Sequence, residues 1–171
     1  DAVVLATGSA AKHGLPGVDW KLPMANKKGM ILKTNALPQV INHTLMTPDV
    51  HFRQNPDGSF TAGEIFSGEI DLNVDPIDLA VEVLDRIQIK LRDVPTLSLL
   101  EVNVGVRPIP LDGLPVIGEV PGVEGVFSAV MHSGVTLGPL VGQLLASEIL
   151  QGVNCPLLQA FRPSRFAEPV L

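Results

Sequence analysis

The sequence predicts an α/β (α+β) fold in which an antiparallel-sheet domain is inserted into a discontinuous α/β domain. Three observations carry this expectation. Apolar, strand-like runs stand near both ends, at residues 2–8 and 126–130. The middle holds the hairpin signature Asn55-Pro-Asp-Gly58. A strand–glycine–helix pattern then returns in the last third, around His132-Ser-Gly134.

Taken in order, residues 2–8 (Ala-Val-Val-Leu-Ala-Thr-Gly) form a continuous apolar run closed by glycine, the pattern of a parallel strand covered on both faces. Residues 9–23 carry Gly14, Pro16, Gly17 and Pro23, which mark a loop or crossing connection. Residues 28–34 read as a strand entered through Gly29. Residues 49–54 and 59–64 flank the Asn55–Gly58 turn, where proline presets a φ of about −65° and glycine accepts the positive φ that closes the bend. Asp75 caps a helix with Pro76 at its first position. Ile77, Val81, Leu84, Ile87 and Leu91 recur at helical spacing along it, and it ends before Pro95. Residues 99–106 and 126–130 are strands, and a helix over 135–150 is stopped by Gly152. The tail carries Phe161-Arg-Pro-Ser-Arg-Phe166.

With 46% hydrophobic and 18% charged residues, the chain can bury a core. Its net charge of −6 and lack of a basic cluster argue against nucleic acid or an anionic membrane as partner. The longest apolar stretch, residues 135–150, is interrupted by Gln143, Ser147 and Glu148. It falls short of the roughly 20 apolar residues of a transmembrane helix, so none is expected. The one cysteine, Cys155, has no disulfide partner and no companion at metal-site spacing. That fits a reducing, cytoplasmic setting with no metal. Asp1 opens directly into an apolar strand, so a piece of a longer polypeptide is expected.

Two motifs can carry chemistry. In Gly105-Val-Arg-Pro-Ile-Pro110, Arg107 offers a permanently charged, planar fork that matches a carboxylate, and Pro108 and Pro110 stiffen the backbone around it. The same guanidinium could instead tie its turn to a carbonyl or to Asp112. In Met131-His-Ser-Gly-Val-Thr-Leu137, Ser133 or Thr136 can cap a helix, and Gly134 admits close approach of a ligand. First-turn N–H groups lack intrahelical acceptors and sit at the positive end of the helix dipole. His132 is equally a group facing a ligand or a histidine bonded within its loop. His13, His43 and His51 are isolated, and Glu64, Glu69, Asp71, Asp75 and Asp78 read as a solvated surface.

The order Gly-x-Arg-Pro, Asp-Gly-Leu-Pro-x-Ile-Gly, then His-Ser-Gly-Val-Thr-Leu-x-Pro-x-x-Gly resembles the C-terminal part of the FAD-dependent amino-acid and amine oxidoreductases, such as D-amino-acid oxidase, glycine oxidase and sarcosine oxidase. The resemblance implies remnants of an FAD-binding domain at 1–22 and 104–171 around a substrate domain at 23–103. It implies that Arg107 pairs with the substrate carboxylate and that His132 faces flavin or substrate. It places Thr7 and Gly8 under the ADP part of FAD, and Ser133, Gly134, Val135, Thr136 and Leu137 at the isoalloxazine edge. The implied reaction oxidises the C–N bond of an amino acid or secondary amine to an imine by hydride transfer to flavin. That reaction needs orientation and electrostatics more than a side-chain base.

Two features depart from the family pattern. There is no tyrosine, whereas several relatives line the substrate pocket with them. No Gly-x-Gly-x-x-Gly stands between a strand and a helix, nor an acidic residue beyond it. The expected partners are therefore an amino acid or amine and a missing N-terminal FAD-binding segment or partner chain. The alternative is a non-catalytic fragment.

Overall fold

The computed structural model describes residues 1–14, 17–18, 20–63 and 74–167. The sequence expectations at Pro16, Glu64, Glu69 and Asp71 lie outside the described residues. In chain order the strands are β1 (Val3–Leu5), β2 (Met24–Ala25), β3 (Lys28–Ala36), β4 (Leu45–Met46), β5 (His51–Gln54), β6 (Ser59–Gly63), β7 (Leu99–Val106), β8 (Ile109–Pro110), β9 (Val116–Glu119) and β10 (Val126–Val130). Helix α1 spans Pro76–Lys90 and α2 spans Gly134–Gln151. The α+β class anticipated from sequence is the class observed. Two compact units divide the chain: Asp1–Asn26 with Arg107–Leu171, and Lys27–Val106.

The Lys27–Val106 unit is an antiparallel sheet of order β4-β5-β6-β3-β7 with α1 packed on it. Its strands alternate. Met30 and Leu32 of β3 turn inward with Phe52 and Phe60, while Ile31 between them is exposed. The Asn55–Gly58 turn joins β5 to β6 as expected: the Gly58 N–H donates to the Asn55 carbonyl at 2.9 Å, and Gly58 sits at φ +83°. A side chain could not follow it there, because a Cβ would lie 2.5 Å from the Leu37 carbonyl oxygen. The Asp57 carboxylate is pulled down to about 2, first by the Ser59 hydroxyl, then by the Ser59 N–H and the Lys33 ammonium. Gln54 ties the turn to the 37–41 loop. Its amide oxygen accepts from Val40 and Ile41, and its nitrogen donates to the carbonyls of Leu37, Pro38 and Gly58.

Between Lys33 and Ala36 the β3–β6 register shifts, which breaks the backbone ladder. The buried Thr34 hydroxyl repairs it by accepting the Phe60 N–H at 3.0 Å and donating to the Asn35 carbonyl at 2.8 Å.

Helix α1 begins as expected, with Asp75 accepting the Ile77 N–H at 2.8 Å and Pro76 in its first turn. Leu84, Ile87 and Leu91 are buried as the sequence marked, but in the first half of the helix the buried face differs. Ala80, Val83, Leu84 and Ile87 are buried, whereas Ile77 and Val81 are exposed. Both sets have helical spacing, and burial falls on the face that puts small Ala80 and Val83 into the core shared with the sheet.

In the other unit, the sheet has order β1-β10-β9, with β1 parallel to β10 and β9 antiparallel to it. The first strand is parallel, as expected; within this chain Leu5 of β1 is buried, while Val3 and Val4 are exposed. The connection expected over 9–23 contains a 3-10 helix, Gly8–His13. Strand β2 pairs antiparallel with β8. Leu145 and Val141 of α2 pack with Ile117, Met131 and Leu158. Gly152 ends α2 in the left-handed conformation.

Candidate active site

In the Asp1–Asn26 and Arg107–Leu171 unit, β10 delivers the chain to Met131-His-Ser133, and α2 starts at Gly134. Ser133 occupies the cap position, but its side chain makes no capping bond. Neither candidate for the cap, Ser133 or Thr136, fulfils that expectation, since Thr136 lies inside α2. The first-turn N–H groups of Gly134, Val135 and Thr136 precede any possible intrahelical acceptor. Val135 is 98% exposed, and a Cβ on Gly134 would meet only Met131 Cγ at 3.9 Å. Pro139 cannot donate to the Val135 carbonyl, which removes one bond from the start of the helical ladder.

A cavity of about 660 Å³ opens at this helix end. Gly8, Pro108, His132, Gly134 and Val135 line it together with Val4, and its lining is mostly apolar. The structure thus brings together Gly8, His132, Gly134 and Val135 of the residues marked by sequence. Pro108, the neighbour of Arg107, joins them. Arg107 itself, Thr7, Ser133, Thr136 and Leu137 do not line the cavity; Leu137 packs instead against the Ile117–Leu145 core. Farther along α2, Gly138, Gly142 and Ala146 line the same space.

Arg107 lies half-buried at the head of a folded strap. The Ile109 N–H donates to the Arg107 carbonyl at 2.8 Å, a three-residue turn around Pro108. The Leu111 N–H donates to the Pro23 carbonyl at 2.9 Å and the Gly113 N–H to the Pro110 carbonyl at 2.8 Å. Asp112, considered above as a partner for Arg107, is gripped by Arg165: Nε donates to Oδ2 at 2.6 Å and Nη2 to Oδ1 at 3.1 Å. The Arg165 guanidinium, ahead of the opposing effect of burial, holds the Asp112 carboxyl below its usual range.

Sequence reasoning gave no role to a second ionic cluster. Glu148 of α2 accepts two bonds from Arg162, one of them from Nη1 at 2.8 Å, and one from the Cys155 N–H. The Glu148 side chain is 5% exposed and that of Arg162 13%. The Arg162 hydrogen bonds depress the Glu148 carboxyl, and Glu148 raises the Arg162 guanidinium. Gly118 makes room for this pair: a Cβ there would lie 2.6 Å from Arg162 Nη1. The available signal was the Phe-Arg-Pro-Ser-Arg-Phe tail, whose two arginines sit in an otherwise apolar stretch. Among the described residues no group of His, Cys, Asp and Glu could hold a metal ion.

The family model described as FAD dependent oxidoreductase (DAO) matches residues 1–148. The chain belongs to the FAD-dependent oxidoreductase family. It is 30% identical over 164 residues to hydrogen cyanide synthase subunit HcnC of Pseudomonas protegens, covering 92% of this chain and 38% of that protein. Iminodiacetate oxidase from Chelativorans sp. BNC1 superposes with a TM-score of 0.67 at 25% identity, over 95% of this chain and 46% of its own. Glycine oxidase from Geobacillus kaustophilus shares the fold with a TM-score of 0.73 at 23% identity, over 98% of this chain and 46% of its own. The chain therefore spans less than half the length of these relatives. No helix among the described residues is long and apolar enough to cross a membrane.

Proposed function

We propose that this chain is the C-terminal portion of an FAD-dependent oxidoreductase that oxidises the C–N bond of an amino acid or secondary amine to an imine. The observation that carries the reading is the convergence of Gly8, His132, Gly134 and Val135 on one apolar cavity beside Pro108, directly after Arg107. Iminodiacetate and glycine, named in two of the relatives, each carry an amine on the carbon beside a carboxylate. In this reading residues 1–22 and 104–171 belong to the FAD-binding domain and 23–103 form the substrate domain.

The residues fit the cofactor. The uncapped first turn of α2 presents N–H donors and a positive dipole end to an electron-rich ring edge, and Gly134 leaves room for close approach. Bound FAD would supply the two-electron acceptor that takes the hydride from the substrate α-carbon. Arg107 binds the substrate carboxylate and orients that carbon. His132 lines the cavity, where it can face flavin or substrate and is not required as a base.

Full-length enzyme carrying Arg107→Leu tests this. Loss of a charge-assisted bidentate contact of about 3 kcal/mol lowers kcat/KM by about two orders of magnitude. KM rises while flavin content stays near normal. Unchanged kinetics on amino acids refute the carboxylate assignment.

A second reading, a subunit or fragment completed by a second polypeptide that supplies the dinucleotide-binding half, is supported by strand β1, exposed at Val3 and Val4, and by the chain's coverage of its relatives. Flavin absorbance in the purified 171-residue chain after mixing with the candidate partner distinguishes a site completed in trans from a bare fragment.

A further inference from the structure

A second cavity, of about 590 Å³, lies within the Lys27–Val106 unit, between residues 37–44 and the Asn55–Gly58 turn. Unlike the cavity at α2, its walls are largely polar: His43 and Thr44 on one side, Arg53, Asn55 and Asp57 on the other. The two walls are tied together by the protein itself. The Gln54 amide accepts from Val40 and Ile41 and donates to the Leu37 and Gly58 carbonyls, so loop and turn form one frame. A preformed frame lowers the ordering cost of binding.

Several groups along these walls have bonding capacity to spare. Among the described residues, no hydrogen bond or ion pair engages Arg53 or His43. Asn55 Nδ2 donates to Ser59 Oγ at 3.0 Å and to Thr61 Oγ1 at 2.8 Å, and no donor among the described residues engages its Oδ1. Lys33 Nζ and the N–H and hydroxyl of Ser59 donate to the Asp57 carboxylate, which has about four acceptor sites. With its carboxyl held at about 2, Asp57 is an anion at neutral pH. One hairpin therefore offers a cationic fork at Arg53 and a negative charge at Asp57.

We propose that this cavity binds a small zwitterion, a free α-amino acid, with Arg53 pairing with its carboxylate and Asp57 and Asn55 Oδ1 accepting from its ammonium. The planar guanidinium matches a carboxylate with two parallel bonds. The Asp57 charge disfavours phosphate and other polyanions, and a neutral ligand leaves the Arg53 charge uncompensated. The proposal does not depend on the flavin reading, since the two cavities share no lining residue.

Calorimetric titration of the 171-residue chain with L-serine, L-serinamide and glycerate tests it. L-Serine binds once per chain with a Kd of about 1 mM or tighter. L-Serinamide lacks the carboxylate and glycerate lacks the ammonium, and each binds at least about tenfold more weakly. Arg53→Gln removes the gap between serine and serinamide. Asp57→Asn, which keeps an acceptor for Ser59, removes the gap between serine and glycerate. A change in the frame alone weakens all three compounds equally and leaves both gaps standing, and that result overturns the proposal. Arg107→Leu leaves L-serine binding unchanged, because Arg107 does not line this cavity. The proposal also falls if L-serine shows no saturable binding, or if glycerate binds as tightly as L-serine. Binding that Arg107→Leu removes and Arg53→Gln spares overturns it as well, and leaves the carboxylate reading of Arg107 standing.

Discussion

Replacing Arg162 with methionine is the most demanding test of how the α2 unit is held. Methionine keeps an unbranched apolar stem but removes the guanidinium, leaving the 5%-exposed Glu148 with only the Cys155 N–H. Breaking a buried pair from one side costs about 3–5 kcal/mol, because the remaining charge is desolvated without compensation. With an m-value of about 2 kcal/mol per molar urea, the midpoint should fall by about 1.5–2.5 M at pH 7. The pair's pH dependence has a fixed sign. The Glu148 carboxyl is depressed in the fold, so the native contribution is fully present above the unfolded glutamate pKa of about 4.3 and is lost as pH falls through the folded value. In Arg162→Met the lone buried carboxyl titrates above its usual range, so the gap to the native protein narrows as acid is added. The double variant Glu148→Leu/Arg162→Met recovers most of the loss, since an apolar pair of similar volume carries no buried charge. Urea melts between pH 4 and 8 measure all three, with hydrogen exchange at the Cys155 amide as the local readout. A loss below about 1 kcal/mol at pH 7, with no pH dependence, is the behaviour of an exposed ion pair and would refute the argument.

Two further outcomes follow from the same reasoning. Thr34→Val keeps shape but strands the buried Phe60 N–H at the β3 register shift, which should destabilise by about 1–3 kcal/mol in urea denaturation, whereas Thr34→Ser should recover most of it. The 171-residue chain alone should not bind FAD tightly, because it offers no glycine-rich strand-to-helix turn for the pyrophosphate; stoichiometric submicromolar binding by calorimetry contradicts this.

Local chemistry was legible from sequence. The Asn55–Gly58 turn, the Asp75–Pro76 helix start, the strand at Leu99–Val106 and the glycine stop of α2 each depend on a few adjacent residues and stand as the sequence indicated. The family resemblance also lay in short contiguous motifs. What depended on distant partners was not legible. Leu84, Ile87 and Leu91 are buried as marked, but which residues of the first half of α1 are buried was decided by the sheet that packs on it, because Ile77 and Val81 satisfy helical periodicity as well as Ala80 and Val83 do. Among the described residues β1 pairs on one side, with β10, which its sequence did not reveal, since an apolar run reads the same at an edge as in a sheet's interior. The two arginines of the tail became the partners of Glu148 and Asp112 only when the chain closed over 14 and 53 residues. Ionic pairing leaves no periodic mark in a sequence. Tertiary structure alone decides which opposite charges meet.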